Sequence, residues 1–155
     1  MKNDFIEWVK NNLKNLRIEE DAPASEKEVA DLGNEFSFEF PADYNELLLH
    51  SDGMTFYGSN GVFSFYTVED VSLLHDDPVY SKQLENGVFI IANDNGNNLY
   101  VFDRYNNWEN GKMAIYRMDS GNLKRYSTQY LGKDLREVLT MINEGISFGS
   151  LPTLE

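Results

Sequence analysis

Asn86-Gly87-Val88-Phe89-Ile90-Ile91-Ala92-Asn93-Asp94-Asn95-Gly96-Asn97-Asn98-Leu99-Tyr100-Val101-Phe102 is the stretch that decides the fold class. Residues 88–92 are apolar at every position, so both faces are expected to be buried, as in a central strand. Asp94-Asn95-Gly96-Asn97 reads as a turn, because Asn-Gly tolerates the positive φ that tight hairpins demand. Residues 99–102 are then the partner strand. Asp94 is expected to bond its own backbone, as turn aspartates do. Asp94 and Gly96 are therefore structural residues in this reading.

Working toward the C-terminus, residues 113–118 form a further strand, and Asp119-Ser120-Gly121-Asn122 turns into another at 123–126. Leu131, Leu135, Val138, Leu139 and Ile142 share one stripe of a closing helix that ends at Gly145. Working toward the N-terminus, Val62-Phe63-Ser64-Phe65-Tyr66 is aromatic and β-branched, hence strand-like. Thr67 caps a short helix ending near Leu74. Before it, a helix presents Tyr44, Leu47 and Leu48 on one face. Pro41 suits its first position, where the missing N–H has no partner anyway. It stops at Ser51-Asp52-Gly53, where glycine can take the left-handed conformation. Ser25 and Glu28 make a capping box for a helix carrying Val29, Leu32 and Phe36. Residues 4–16 place Phe5, Val9, Leu13 and Leu16 at helical spacing, with Ile6 and Trp8 widening the stripe. Helices lead, strands follow and a helix closes. The expectation is an α+β fold: a mostly antiparallel (mixed) twisted sheet covered by N-terminal and C-terminal helices.

The chain has 155 residues, which fits one domain, 1–155. With 41% hydrophobic and 14% aromatic residues it has the composition of a folded chain rather than a disordered one. The longest apolar run is five residues, against about 20 for a membrane span. The first residues place carboxylates where a signal peptide needs an apolar stretch. The absence of cysteine excludes disulfides, thiol catalysis and thiolate metal sites. A cytoplasmic location is expected.

The net charge of −13 is concentrated. Residues 18–81 hold 15 acids and a single base, Lys27, while the acids and bases of the remainder nearly balance. Such a field repels nucleic acid and anionic membrane, and it attracts basic proteins. Solubility alone also accounts for it, and both readings stand at this point.

The order of motifs resembles the SUKH superfamily, the domain of fungal Smi/Knr-type cell-wall regulators and of many bacterial immunity proteins. Ser25-Glu26-Lys27-Glu28-Val29 resembles its early S-E-x-E-[IV] helix. Phe40-Pro41-Ala42-Asp43-Tyr44-Asn45-Glu46-Leu47-Leu48 resembles its [LF]-P-x-D-Y-x-x-[FL]-L helix. Ser51-Asp52-Gly53 stands where the family usually has an Asn/Ser-x-Gly or Asn-Gly-Gly turn. Residues 90–97 resemble its I-[GA]-x-[DN]-G-x-[GN] strand and turn, and residues 131–142 its closing helix. The likeness covers about residues 25–145. It departs at Ser-Asp-Gly in place of Asn-Gly-Gly, and at Leu135 in place of an aromatic.

The resemblance implies a protein without catalytic activity or cofactor. It implies an immunity protein that binds and neutralises a cognate polymorphic toxin, a nuclease in the reading preferred here, by covering its basic active site. The rival is a Smi/Knr-type regulatory interaction module with no toxin partner; an enzyme using surface carboxylates is a further alternative. A homodimer is compatible with the aromatic-rich edges. In or beside the acidic stretch, Phe56, Tyr57 and Tyr66 are the candidate anchors, ringed by Asp52, Glu69, Asp70, Asp76 and Asp77. Pro41, Tyr44 and Gly53 are assigned structural roles.

Other constellations have bland readings. His50, near a helix C-terminus, is expected to satisfy carbonyls and the helix dipole. His75-Asp76-Asp77 reads as a solvated loop rather than a metal site, because adjacent loop residues rarely converge on one ion. From Asp94 the glycine falls at position 3 and Tyr105 at position 12, so no calcium loop is present. Residues 103–111 read as a long hairpin connection or a second interaction edge. No phosphate-binding loop, nucleophile elbow or dinucleotide fingerprint occurs.

Overall fold

The computed structural model describes residues 3–154. Its first part contains helix α1 (Phe5–Asn12), strand β1 (Arg17–Glu19), helices α2 (Glu26–Glu35) and α3 (Ala42–His50), and strands β2 (Thr55–Tyr57) and β3 (Val62–Phe65). Helices α4 (Val68–Asp76) and α5 (Pro78–Gln83) precede strands β4 (Val88–Asn93), β5 (Asn98–Asp103), β6 (Ala114–Asp119) and β7 (Gln129–Gly132). Helix α6 (Leu135–Asn143) follows. The seven strands form one sheet in sequence order. Every pairing is antiparallel, so the sheet has no mixed part.

Local signals set most element starts. The Ser25 hydroxyl accepts the Glu28 N–H at 3.1 Å, and the Glu28 carboxylate accepts the Ser25 N–H at 3.0 Å. Thr67 accepts the Asp70 N–H at 3.1 Å and opens α4. Pro41 stands one residue earlier than expected: it is the N-cap of α3, with extended backbone at φ −54 and ψ 144. Its carbonyl accepts the Asn45 N–H at 3.1 Å. Gly53, at φ +99, makes the turn after α3. A Cβ there would lie 3.1 Å from the Thr67 methyl.

Three expectations change. Helix α1 ends at Asn12, so Leu16 lies outside it, although it still packs against the core. The Asn15 N–H bonds the Asn143 side chain at 2.8 Å and draws the chain away from the helix axis. The strand expected at 123–126 is replaced by a 3-10 turn, Arg125–Ser127, because the Ser127 and Thr128 hydroxyls both donate to the Lys124 carbonyl at 2.9 Å. Leu131 belongs to β7, and α6 starts only after Asp134, which accepts the Glu137 N–H at 2.9 Å. Its four-residue spacing from Leu135 resembles a helical stripe by coincidence.

The sheet is covered on both faces. On one, α1, α2, α3, α4 and α6 contribute to a large core with Phe5, Tyr44, Leu47, Phe63, Phe102 and Ile142 at its centre. On the other, Ile90, Val101 and Tyr116 lie beneath Trp108 and Leu123, with Tyr80 and Leu84 at the margin. Strand β4 is buried from Val88 to Ala92, as its unbroken apolar run requires. Tyr44 is fully buried against Phe40, Phe65 and Phe102. Burial pushes its phenol well above the ordinary tyrosine range.

Candidate functional site

The acidic stretch builds most of the helical layer, and part of its charge is used internally. Asp43 takes Arg136 at 3.0 Å, Asp31 takes Lys27 at 2.6 Å, and Glu19 pairs with Arg17. Glu46 accepts the Ile6 N–H at 2.6 Å, and Glu35 accepts the Ser72 hydroxyl at 2.8 Å. Asp52 accepts the Val68 N–H at 2.8 Å and so holds the start of α4. Burial raises the Asp52 carboxyl above its usual range. That hydrogen bond opposes the shift, and neighbouring Glu28, Asp70 and Asp21 add to it.

The outward face of α4 is different. Leu73 is 60% exposed there. Glu69 and Asp70 precede it by four and three residues; Asp76 and Asp77 follow it by three and four. On a helix those are its surface neighbours, so one apolar side chain is ringed by four carboxylates. Glu69, Asp70 and Asp76 are exposed, and none of the ion pairs or side-chain hydrogen bonds among the described residues engages their carboxylates. Asp77 gives one oxygen to the Val79 N–H at 2.8 Å, capping α5, and stays exposed. Val79, 58% exposed, extends the apolar surface onto α5. An apolar centre within a charged rim is how protein interfaces are built.

The model of the SMI1 / KNR4 family (SUKH-1) matches residues 23–143. The chain belongs to this family. No curated protein matches it in sequence. The family span opens just before the α2 capping box, closes with α6, and includes the whole α4 face.

Within the SUKH frame the expected anchors separate. Phe56 is 0% exposed in the core, edge-on to Phe65, and does not reach the surface. Tyr57 lies on β2 beside β1, under the Arg17 guanidinium, with its hydroxyl donating to Glu19 at 3.2 Å. Tyr66 is half-buried just before α4. Desolvation raises its phenol, an Asn93 hydrogen bond opposes this, and Tyr80 and Asp70 add to it. Thus Asp52, Tyr66, Glu69, Asp70, Asp76 and Asp77 gather at α4 and its approaches, whereas Phe56 and Tyr57 do not. The apolar surface residues there are Leu73 and Val79. Leu73's position midway between two acidic pairs, at helical spacing from both, is the sequence signal that would have found it.

The histidines also differ from expectation. His75 is not in a solvated loop but in the last turn of α4. Its Nε2 accepts the Ile90 N–H at 2.9 Å, and its ring stacks on Phe89 at 4.3 Å. Burial lowers its pKa from 6.5 to about 4. It is therefore a neutral tether between α4 and β4 at physiological pH. His50 points its Nε2 at the Glu20 carboxylate, 3.1 Å away, rather than at helix carbonyls.

In the second half of this SUKH chain, carboxylates serve the backbone. One Asp94 oxygen accepts the Gly96 and Asn98 N–H groups at 2.9 and 3.2 Å. In that turn the positive φ, 61°, falls on Asn95. Asp103 is 0% exposed and accepts the Asn107 and Trp108 N–H groups, each at 2.9 Å. It turns the chain so that Trp108 sits edge-on against Tyr116 at 4.6 Å, while residues 105, 106 and 109–111 stay exposed. Trp108 is the lid of that connection on the second core. Among the described residues no three histidines or carboxylates gather as metal ligands, and no helix is long and apolar enough to cross a membrane.

Proposed function

We propose that this SUKH chain is an immunity protein. It binds a cognate polymorphic toxin of basic character, in the preferred reading a nuclease, and blocks the toxin's active site with the acidic surface centred on α4. The observation that supports this most directly is Leu73, exposed within four carboxylates that none of the ion pairs among the described residues engages. In the free protein those charges repel one another. A cationic groove relieves that repulsion and receives the leucine. Charge complementarity of this kind speeds encounter and fixes orientation, while the desolvated centre supplies most of the affinity. Occlusion asks no catalytic step, cofactor or metal of this chain. The whole chain, 1–155, acts as one binding unit in the cytoplasm, without contact to nucleic acid or membrane. Helix α1, outside the family span, is tied to it by Arg136, which pairs with both Asp4 and Asp43.

The test is co-purification from the source cells with a tagged chain, followed by expression of any stoichiometric partner alone and with this chain. The expected result is a basic partner that arrests growth alone and is harmless with this chain. The association rate should fall steeply with salt. Replacing Asp70 and Asp76 by lysine should abolish protection at unchanged melting temperature. Recovery only of regulatory or cell-wall proteins that harm nothing would overturn the immunity reading in favour of the regulatory module. A homodimer as the sole product would overturn it too.

A further inference from the structure

A groove of about 630 Å³ runs between α2 and α3, away from the α4 face. Ala30 and Gly33 line one side, Asn45 and Leu49 the other, and the buried rings of Phe38 and Phe40 the base. The groove is held open by backbone detail. The chain after α2 folds back so closely that a Cβ on Gly33 would lie 2.9 Å from the Phe38 carbonyl. The Phe38 N–H bonds the Gly33 carbonyl at 2.8 Å, and Ser37 between them adopts φ 50, a conformation rare outside glycine. Strained backbone of this kind concentrates at ligand-holding sites.

The groove's charged lining is Glu26 and Glu39. Both are exposed, and none of the ion pairs or side-chain hydrogen bonds among the described residues engages them. A second depression lies on the other side of α3 and shares Glu26, Asn45 and Leu49. Its charged and titratable lining adds Asp4, Glu7, Glu46, Lys10 and His50, so acid still dominates. Leu49, 38% exposed, lies between the two.

We propose that the α2–α3 groove docks a cationic amphipathic segment of another protein, with an apolar side chain over Phe38 and Phe40 and lysines or arginines against Glu26 and Glu39. A neutral apolar ligand leaves both glutamates idle. An acidic one is repelled. The volume suffices for a sizeable side-chain cluster, and the site is an open groove rather than an enclosed cavity. Helix α2 packs against α3 on one side and α4 on the other, so this surface is separate from the one around Leu73. The proposal stands on that geometry and does not require the partner to be a toxin.

The probe is a synthetic helical peptide with leucines on one face and lysines on the other; its control carries glutamates in place of the lysines. Binding is read from backbone amide shifts of the full chain. The lysine peptide should move the Ala30, Gly33, Asn45 and Leu49 amides. The glutamate peptide should bind at least about tenfold more weakly. Glu26→Lys with Glu39→Lys should cost the lysine peptide about tenfold. Ala30→Trp, which fills the groove from an exposed helical position, should cost as much at unchanged melting temperature. Asp70→Lys with Asp76→Lys should cost nothing. Equal binding of both peptides, shifts confined to α4, or no shifts would overturn the proposal. Concentration-dependent shifts of the same amides without peptide would overturn it in favour of self-association.

Discussion

The acidic residues of α4 and those of the sheet half have the same chemistry and opposite fates. Asp94, Asp103, Asp119 and Asp134 each accept backbone N–H groups in turns or at a helix start. Their charge is spent on folding. Glu69 and Asp70 stand in the first turn of α4 and Asp76 at its last residue; no side-chain hydrogen bond among the described residues takes their carboxylates, and their charge faces outward around Leu73. A carboxylate in a turn finds orphan donors beside it; at the start of α4 the side chains of Asp52 and Thr67 have already taken the Val68 and Asp70 N–H groups. Local backbone geometry therefore sorts structural acids from acids free to meet a partner.

The contrast breaks most sharply at Asp103. Asp103→Ala leaves the buried Trp108 N–H and the half-buried Asn107 N–H without an acceptor and loosens the Trp108 lid. A loss of about 3 kcal/mol is expected in chemical denaturation. A loss under about 1 kcal/mol would show that this carboxylate is not structural. Asp94→Ala should cost about 1–2 kcal/mol, since its turn is more exposed.

The pH dependence offers a finer test. The folded His75 resists a proton down to about pH 4, whereas the unfolded chain accepts one near 6.5. The unfolded state binds more protons in that window, so stability should fall as pH drops through it. His75→Gln, whose amide oxygen can still accept the Ile90 N–H, should flatten that part of the curve. An unchanged slope would remove His75 as its cause. Asp52 has the opposite sign. Its raised pKa means that stability is lost as pH rises, so Asp52→Asn should gain less than about 1 kcal/mol at neutral pH. The gain should vanish in acid. Smallest of all, Glu69→Gln with Asp76→Asn should change stability by under about 0.5 kcal/mol, yet slow partner association measurably at low salt.

Much of the fold was legible where local chemistry and tertiary role agree. The Ser25 and Thr67 caps, the all-apolar β4 and the Asp94 turn are instances. The short strands β1 and β2 were not, because three residues show no period; pairing with a neighbour makes them strands. The site was half legible. Charge marked the stretch, but charge carries no information about which way a nearby ring points. Phe56 turned inward because it pairs with Phe63 on β3 and shares that strand's buried face. Leu73 does not stand out in the sequence, because a leucine in a helix suggests core. His75 was misplaced because α4 runs to Asp76, two residues beyond the expected end near Leu74.

The strictly sequential strand order has a kinetic consequence. Strands β4 to β7 join through connections of hairpin scale, whereas β1 must wait for β2 across α2 and α3, and β3 for β4 across α4 and α5. Loop closure costs more, and contacts form later, as that separation grows. The β4–β7 half is therefore expected to gain amide-exchange protection first during refolding, with the acidic helical layer assembling onto it afterwards.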